Sequence, residues 1–370
     1  MNGSIPEQAG IVTGAAEFSA DWLSAYLAER LGGPVAVTQF EKFTRGTSRQ
    51  TWFAAWQGPE GDAVEAVLRA DHPAGAGDPT SLDQEFAVYE RLGRTAIPHA
   101  RVLWFENRHE QAPRPFYLRE RIAGSWQVPG YARADDAGAR ARLAAAQEHM
   151  RALACVHDAD WQQAGFGDLL GAPAGVDDAL PHYVRLQLGR LARFGGEPQP
   201  LLLEVAEFLL AHAPPAARIS LCKGTNGLGE EVFRDGRIVA MSDWEEAIVG
   251  DPASDLAMVQ GFAEPIAIDG ETVWNSDIAL DFYNRQARVP VSPGNVRFYQ
   301  LARMFGRMVM FAYTTTVVQR SPHATVRQSW TATEVQHWVR RALAGALGIG
   351  AGVDPAIFEE LNMTVDGDGE

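Results

Sequence analysis

The sequence predicts an α+β protein of two lobes. Three observations carry this expectation. Stretches with strand-like alternation are confined to the first third of the chain. The remainder reads as helices gathered around one later hairpin between Glu230 and Met241. A chain of 370 residues, 46% of them hydrophobic, can bury a large core and divide in two. The expected division gives residues 1–122 to an N-terminal, mainly antiparallel sheet lobe and residues 123–370 to a larger helical lobe.

The first element is an amphipathic helix over 17–31, with Phe18, Trp22, Leu23, Tyr26, Leu27 and Leu31 at helical spacing behind Ser19 and Asp21. Strands over 34–43 and 50–57 follow, joined by the turn Phe43 to Ser48. A third strand over 63–70 puts Glu65, Val67 and Arg69 on one face by the period of two. Beyond a Pro/Gly-rich loop at 72–80, residues 82–92 read as a helix with Leu82, Phe86 and Tyr89 inward. Taken by themselves, Arg69 reads equally well as an exposed strand-end arginine, and the helix's Glu85 reads first as a surface glutamate. Two more strands, 102–105 and 116–122, close the first third.

Helices then dominate. One over 135–157 turns Leu143, Met150, Leu153 and Val156 inward, and one over 201–211 stops at Pro214-Pro215. A long apolar helix over 294–320 is core, and Thr331 to Glu334 reads as the capping box of a last helix ending at Gly348.

Composition excludes several functions. A net charge of -15 disfavours non-specific nucleic-acid binding, which needs a basic face, and is compatible with a cationic substrate without demanding one. No stretch approaches about eighteen apolar residues, so no membrane span is expected. The first residues lack the basic start and apolar run of a signal peptide, which makes a cytoplasmic location the expectation. Cys155 and Cys222 read as reduced structural thiols, and no His-rich ligand set supports a metallohydrolase.

Chemistry concentrates in residues 221–257. A Gly-rich charged loop from Lys223 to Glu231 enters a strand, the turn Arg234 to Arg237 reverses the chain, and a second strand delivers Asp243. That hairpin brings Glu230 or Glu231 near Asp243, and paired carboxylates suit a hard divalent cation that also binds phosphate. The competing reading has Asp243 capping a helix that begins at Trp244.

The stretch resembles the aminoglycoside-phosphotransferase-like family, small-molecule kinases distantly related to protein kinases. Asp243-Trp244-Glu245 and Gly250-Asp251-Pro252 with Asp255-Leu256-Ala257 match the second half of the family pattern. The first half, His-Gly-Asp followed by Asn, departs from it. Lys223 stands at the His, Thr225 at the catalytic Asp and Glu230 at the metal-binding Asn; a one-residue slip puts Asn226 and Glu231 in the last two roles.

The resemblance spans roughly residues 15–345 and implies a two-lobed protein-kinase-like fold that binds ATP and Mg²⁺. It implies that Gly46, Thr47 and Ser48 lie over the ATP phosphates, that Arg69 contacts them and that Glu85 orients Arg69. It also implies that the backbone of Arg121, Ile122 and Ala123 receives adenine, and that His157 is structural. The implied reaction is phosphoryl transfer from ATP to a hydroxyl of a small molecule. Threonine cannot accept the substrate proton as a carboxylate does, so the alternative is a catalytically impaired kinase-like protein that binds a nucleotide or metabolite.

Overall fold

The computed structural model describes residues 17–43, 49–75, 79–108, 110–194 and 199–349. The N-terminal part comprises α1 (Ala20–Leu31), β1 (Ala36–Phe43), β2 (Arg49–Gln57), β3 (Ala63–Asp71), α2 (Leu82–Leu92), β4 (Val102–Glu106) and β5 (Phe116–Glu120). The strands form one sheet in the order β1-β2-β3-β5-β4, and every neighbouring pair is antiparallel. Alternation decides what each face does. Trp52, Ala54, Leu68 and Leu118 pack beneath α1, where Phe18 meets Trp52 and Phe116 edge to face. The opposite face carries Thr51, Arg69 and Tyr117, aligned by the pairs Thr51 with Arg69 and Arg69 with Tyr117.

The helical part follows with α3 (Asp136–Asp158), α4 (Phe166–Leu170), α5 (Ala179–Phe194), α6 (Pro200–Ala211), β6 (Ser220–Cys222), β7 (Glu231–Arg234), β8 (Arg237–Met241), β9 (Ile248–Gly250) and α7 (Ala253–Leu256). It closes with α8 (Gln260–Ala263), β10 (Ile266–Ile268), β11 (Glu271–Trp274), α9 (Ser276–Gln286), α10 (Pro293–Arg320), α11 (Val326–Trp330) and α12 (Gln336–Ala346). Its core gathers Met150 and Leu153 of α3, Trp244, Tyr283 of α9, and Phe305 and Met308 of α10. Among the described residues no helix is long and apolar enough to cross a membrane.

Two expectations need correction. The later part holds more β structure than one hairpin: β6 pairs with β9, and β10 with β11. The turn between β10 and β11 is Asp269-Gly270, with φ of 54° and 83°, the same two-residue turn as Asp235-Gly236 between β7 and β8. That dipeptide was the available signal. The capping box also lies elsewhere: Thr325 Oγ1 accepts from the Gln328 amide at 3.1 Å, and Gln328 Oε1 accepts from the Thr325 amide at 3.0 Å. Thr331–Val335 is instead a wide π turn inside a helical run that has already begun.

Candidate active site

A cleft of about 630 Å³ separates the polar face of the sheet from the β7–β8 hairpin. Arg69 and Thr51 line one wall, Glu230 and Asp243 the other, and the segment after β5 closes the back. Gly46, Thr47 and Ser48 lie outside the described residues.

Glu85 is not a surface residue. It is fully buried, because α2 sits behind the sheet with this side chain turned toward β3. Its Oε1 lies 3.2 Å from Arg69 Nη2 and accepts a 2.7 Å bond from the Tyr117 hydroxyl. Its Oε2 accepts from Arg49 Nε at 3.1 Å. Burial alone would push the Glu85 carboxyl up, but Arg69, Arg49 and the Tyr117 hydrogen bond outweigh it and hold the group below the usual range. Arg49 in turn bonds Asp71 and the Thr80 carbonyl, the latter at 2.5 Å. Arg69 is likewise buried, with its Nη2 3.8 Å from Asp243 Oδ1 and 4.0 Å from Glu245 Oε2. Sequence reasoning missed Arg49 and gave Glu245, quoted only within the Asp-Trp-Glu match, no role of its own. The period of two on β2, which puts Arg49 and Thr51 on the face of Arg69, was the signal for the first.

Behind the cleft, the Arg121 amide donates to the Glu65 carbonyl at 3.1 Å, while the amides of Ile122 and Ala123 have no hydrogen-bond partner among the described residues. The Arg121 guanidinium lies 4.5 Å from the Phe53 ring centre. Gly124 has φ 150°, and a Cβ there would stand 2.6 Å from the Phe233 carbonyl oxygen. This close approach lets Ser125 and Phe233 exchange two backbone bonds of 2.8 and 2.7 Å, which tie the connection between lobes to the hairpin.

The loop from Lys223 to Glu230 rests on a buried frame. Asp255 accepts the Lys223 amide at 2.7 Å and the Gly224 amide at 2.8 Å, and lies 3.0 Å from His157 Nε2. His157 Nδ1 is 2.7 Å from the Tyr283 hydroxyl, so both ring nitrogens are engaged and the histidine is a brace. Burial raises the Asp255 carboxyl, yet His157 and the two amides outweigh it and keep the group below its ordinary value. Gly224 has φ 93°, and a Cβ there would meet the Glu246 carbonyl oxygen at 2.2 Å. Arg303 of α10 donates to the Gly224 carbonyl at 2.7 Å and to Glu246 at 2.5 Å.

Within this frame the substituted residues bond one another. The Lys223 ammonium donates to the Thr225 carbonyl at 2.5 Å, the Thr225 hydroxyl at 3.3 Å and Glu230 Oε2 at 2.7 Å. The Thr225 hydroxyl donates to the Asp243 carbonyl at 2.7 Å. Glu230 comes beside Asp243 because its carbonyl accepts the Ser242 amide at 2.8 Å. Burial works against charge on Lys223, but Glu230, Glu231 and Asp243 outweigh it and raise its pKa. For Glu230, burial together with Asp243 and Glu231 outweighs Lys223 and pushes the carboxyl above its usual range.

Asn226 is buried with Nδ2 3.5 Å from the Asp255 carbonyl, and Glu231 is fully buried with Oε1 3.2 Å from His149 Nδ1 of α3. The slipped alignment therefore puts its two residues beneath the loop. No helix begins at Trp244, which removes the capping alternative for Asp243. Among the described residues the group of three donors close enough to share a metal is His157, Cys222 and Asp255, and Asp255 is already spent on the loop.

A β-sheet lobe whose buried glutamate pairs with a strand arginine, facing an aspartate-bearing hairpin in a helical lobe, defines a protein of the kinase-like class. The chain belongs to the phosphotransferase enzyme family, whose sequence model matches residues 39–278. A candidate aminoglycoside phosphotransferase of Ralstonia eutropha JMP134 is similar at 20% identity and a TM-score of 0.63, over 90% of this chain and 99% of that one. A thermostable mutant of aminoglycoside phosphotransferase APH(4)-Ia, in ternary complex with AMP-PNP and hygromycin B, is similar at 15% identity and 0.53, over 90% and 99%. Macrolide 2'-phosphotransferase MphH from Brachybacterium faecium gives 21% and 0.50, over 85% and 97%. At these identities the likeness establishes the fold. Acyl-CoA dehydrogenase family member 10 of Mus musculus is 25% identical over 250 residues, 64% of this chain. The chain spans about a fifth of that relative's length, 22%.

Proposed function

We propose that the protein transfers a phosphoryl group from ATP to a hydroxyl of a small molecule, with the nucleotide between a sheet lobe of residues 1–122 and a helical lobe of residues 123–370. The observation that carries this reading is Arg69, fixed by buried Glu85 and directed at Asp243 across the cleft. In this reading Arg69 meets the phosphates as a planar fork. The segment Arg121, Ile122 and Ala123 receives the base, and the two unpartnered amides supply donors for it. The complex of APH(4)-Ia with AMP-PNP and hygromycin B supports a nucleotide and a small acceptor sharing such a cleft.

The donor set fits a divalent ion at Asp243. Its side chain is 32% exposed, and one carboxylate with phosphate oxygens and water is an ordinary Mg²⁺ environment. Glu230, rather than Glu231, adjoins that position. A bound Mg²⁺ would offset charge on the phosphate oxygens.

Residues of the chain do the rest. Arg69 orients the phosphates, and the Asp255 frame holds the loop against the acceptor side. At the position of the family's base, Thr225 donates its proton to a carbonyl and accepts from Lys223. General-base help of about 10²–10⁴-fold is therefore absent there, and transfer depends on positioning and electrostatics. The same observation favours a second reading, a nucleotide-binding protein with little transfer. Calorimetric titration with ATP and Mg²⁺, followed by measurement of ADP formation with candidate acceptors, separates the two. Binding with turnover supports the first, binding without turnover the second, and no binding removes both.

A further inference from the structure

We infer that the Lys223 ammonium occupies the place of a divalent cation at Glu230, so that the hairpin holds a single metal ion, at Asp243. The inference rests on the functional reading above, and it concerns how that site is neutralised.

The hairpin forces Glu230 and Asp243 into adjacent positions through the bond from the Ser242 amide to the Glu230 carbonyl. Adjacent carboxylates in a partly enclosed site call for positive charge. Lys223 provides it from below. Asp255 fixes the Lys223 backbone at the end of β6, and the side chain then extends into the loop with no exposed surface. An ammonium has three hydrogens to donate, and here it has three oxygen partners: the Thr225 carbonyl, the Thr225 hydroxyl and Glu230 Oε2. An all-oxygen shell of this kind is what a hard cation would otherwise collect.

Two consequences follow from the distances. A divalent ion on Glu230 Oε2 would sit about 2.0–2.6 Å from an oxygen that the ammonium already approaches to 2.7 Å, and like charges that close repel. The lysine is fully buried, so an ion at that oxygen would have to displace a side chain that has no exposed surface. Asp243 differs: its carboxylate opens to the cleft, and its cationic neighbour, Arg69, remains 3.8 Å away. With its three donors spent, Lys223 supplies charge to Glu230 without bridging to phosphate. The loop thus carries its own cation where the family pattern has a neutral Asn beside metal.

The test counts metal directly. Mn²⁺ bound to the protein with AMP-PNP is counted by electron paramagnetic resonance, with protein in excess over nucleotide, for wild type, Lys223→Met and the double variant Lys223→Met/Glu230→Gln. The expected result is one Mn²⁺ per wild-type complex, two for Lys223→Met, where Glu230 has lost its partner, and one for the double variant. Two Mn²⁺ on the wild type would overturn the inference, as would a folded Lys223→Met that still binds one. Should Lys223→Met fail to fold, wild type and the double variant still decide, since two ions on either overturns it. Failure of AMP-PNP to bind at all would instead remove the functional reading, and the inference with it.

Discussion

Two cation–carboxylate clusters face each other across the cleft, and they are built in opposite ways. The Glu85 cluster joins four elements distant in sequence: α2 supplies the carboxylate, β2 and β3 supply Arg49 and Arg69, and β5 adds Tyr117. The Lys223 cluster is local, with partners two and seven residues away along one loop. The first is part of how the sheet lobe packs on α2. The second is an occupant of a frame that Asp255, His157 and Arg303 hold by its backbone. A frame that grips main-chain groups is indifferent to the side chains it carries, so the loop can exchange its chemistry while the fold stays intact.

Breaking the first cluster should therefore have the largest effect on folding. Glu85→Ala leaves two buried guanidinium groups without their shared carboxylate, and loss of one partner from a buried charged set costs about 3–5 kcal/mol. Denaturant unfolding should show that loss, and a variant as stable as wild type would mean that the two clusters do not differ in this way. Arg69→Ala is expected to act on binding as well, weakening ATP affinity by about 1.5–3 kcal/mol through a lost charge-assisted bond. Unchanged ATP affinity would remove Arg69 from the phosphate site.

The frame can be tested apart from its occupants. Asp255→Asn keeps the shape but removes the charge that two amides and His157 share, for an expected cost of about 1.5–3 kcal/mol at neutral pH. The sign of its pH dependence follows from the lowered carboxyl. Stability from a depressed carboxyl is fully present above the unfolded value, near 3.9, and is lost as pH falls through the lower folded value. Wild type and variant should thus differ most above about pH 4 and converge in stronger acid. A constant difference at all pH values would show that Asp255 is not charged in the folded protein.

The contrast also explains what the sequence made legible. The five strands of the sheet, α2 and α10 were located to within two residues, because alternation, periodicity and proline stops are local signals. The run from Asp243 to Ala257 marked the hairpin and its frame for the same reason. What escaped depends on pairing at a distance. Nothing near Arg49 announces that Glu85 lies 3.1 Å away, and the burial of Glu85 itself appears only when α2 docks on the sheet. In the loop, the choice between Glu230 and Glu231 turned on one residue of register. Pairing of Glu231 with Met241 sends its side chain to His149 and leaves Glu230 beside Asp243.

The smallest expected effect is the most specific to the loop. Thr225→Val preserves the branched shape and removes the hydroxyl, so the Asp243 carbonyl loses its 2.7 Å donor and Lys223 loses one of three acceptors. A single such bond is worth about 1 kcal/mol of stability. Its placement matters more than its strength. Asp243 has φ 65°, a left-handed conformation that is costly for a non-glycine residue, although less so for Asp than for most. The Thr225 hydroxyl helps to hold it, because it grips the carbonyl of the same residue. Without it the Asp243 backbone can relax toward negative φ and draw its carboxylate away from the position facing Arg69. Mn²⁺ affinity in the presence of AMP-PNP should then fall more than AMP-PNP affinity without metal, although Thr225 touches neither. Equal losses, or none, would mean that the hydroxyl does not set the Asp243 backbone. Thr225→Ser, which keeps the donor, should return metal affinity to wild type if the hydrogen bond rather than the methyl group carries the effect.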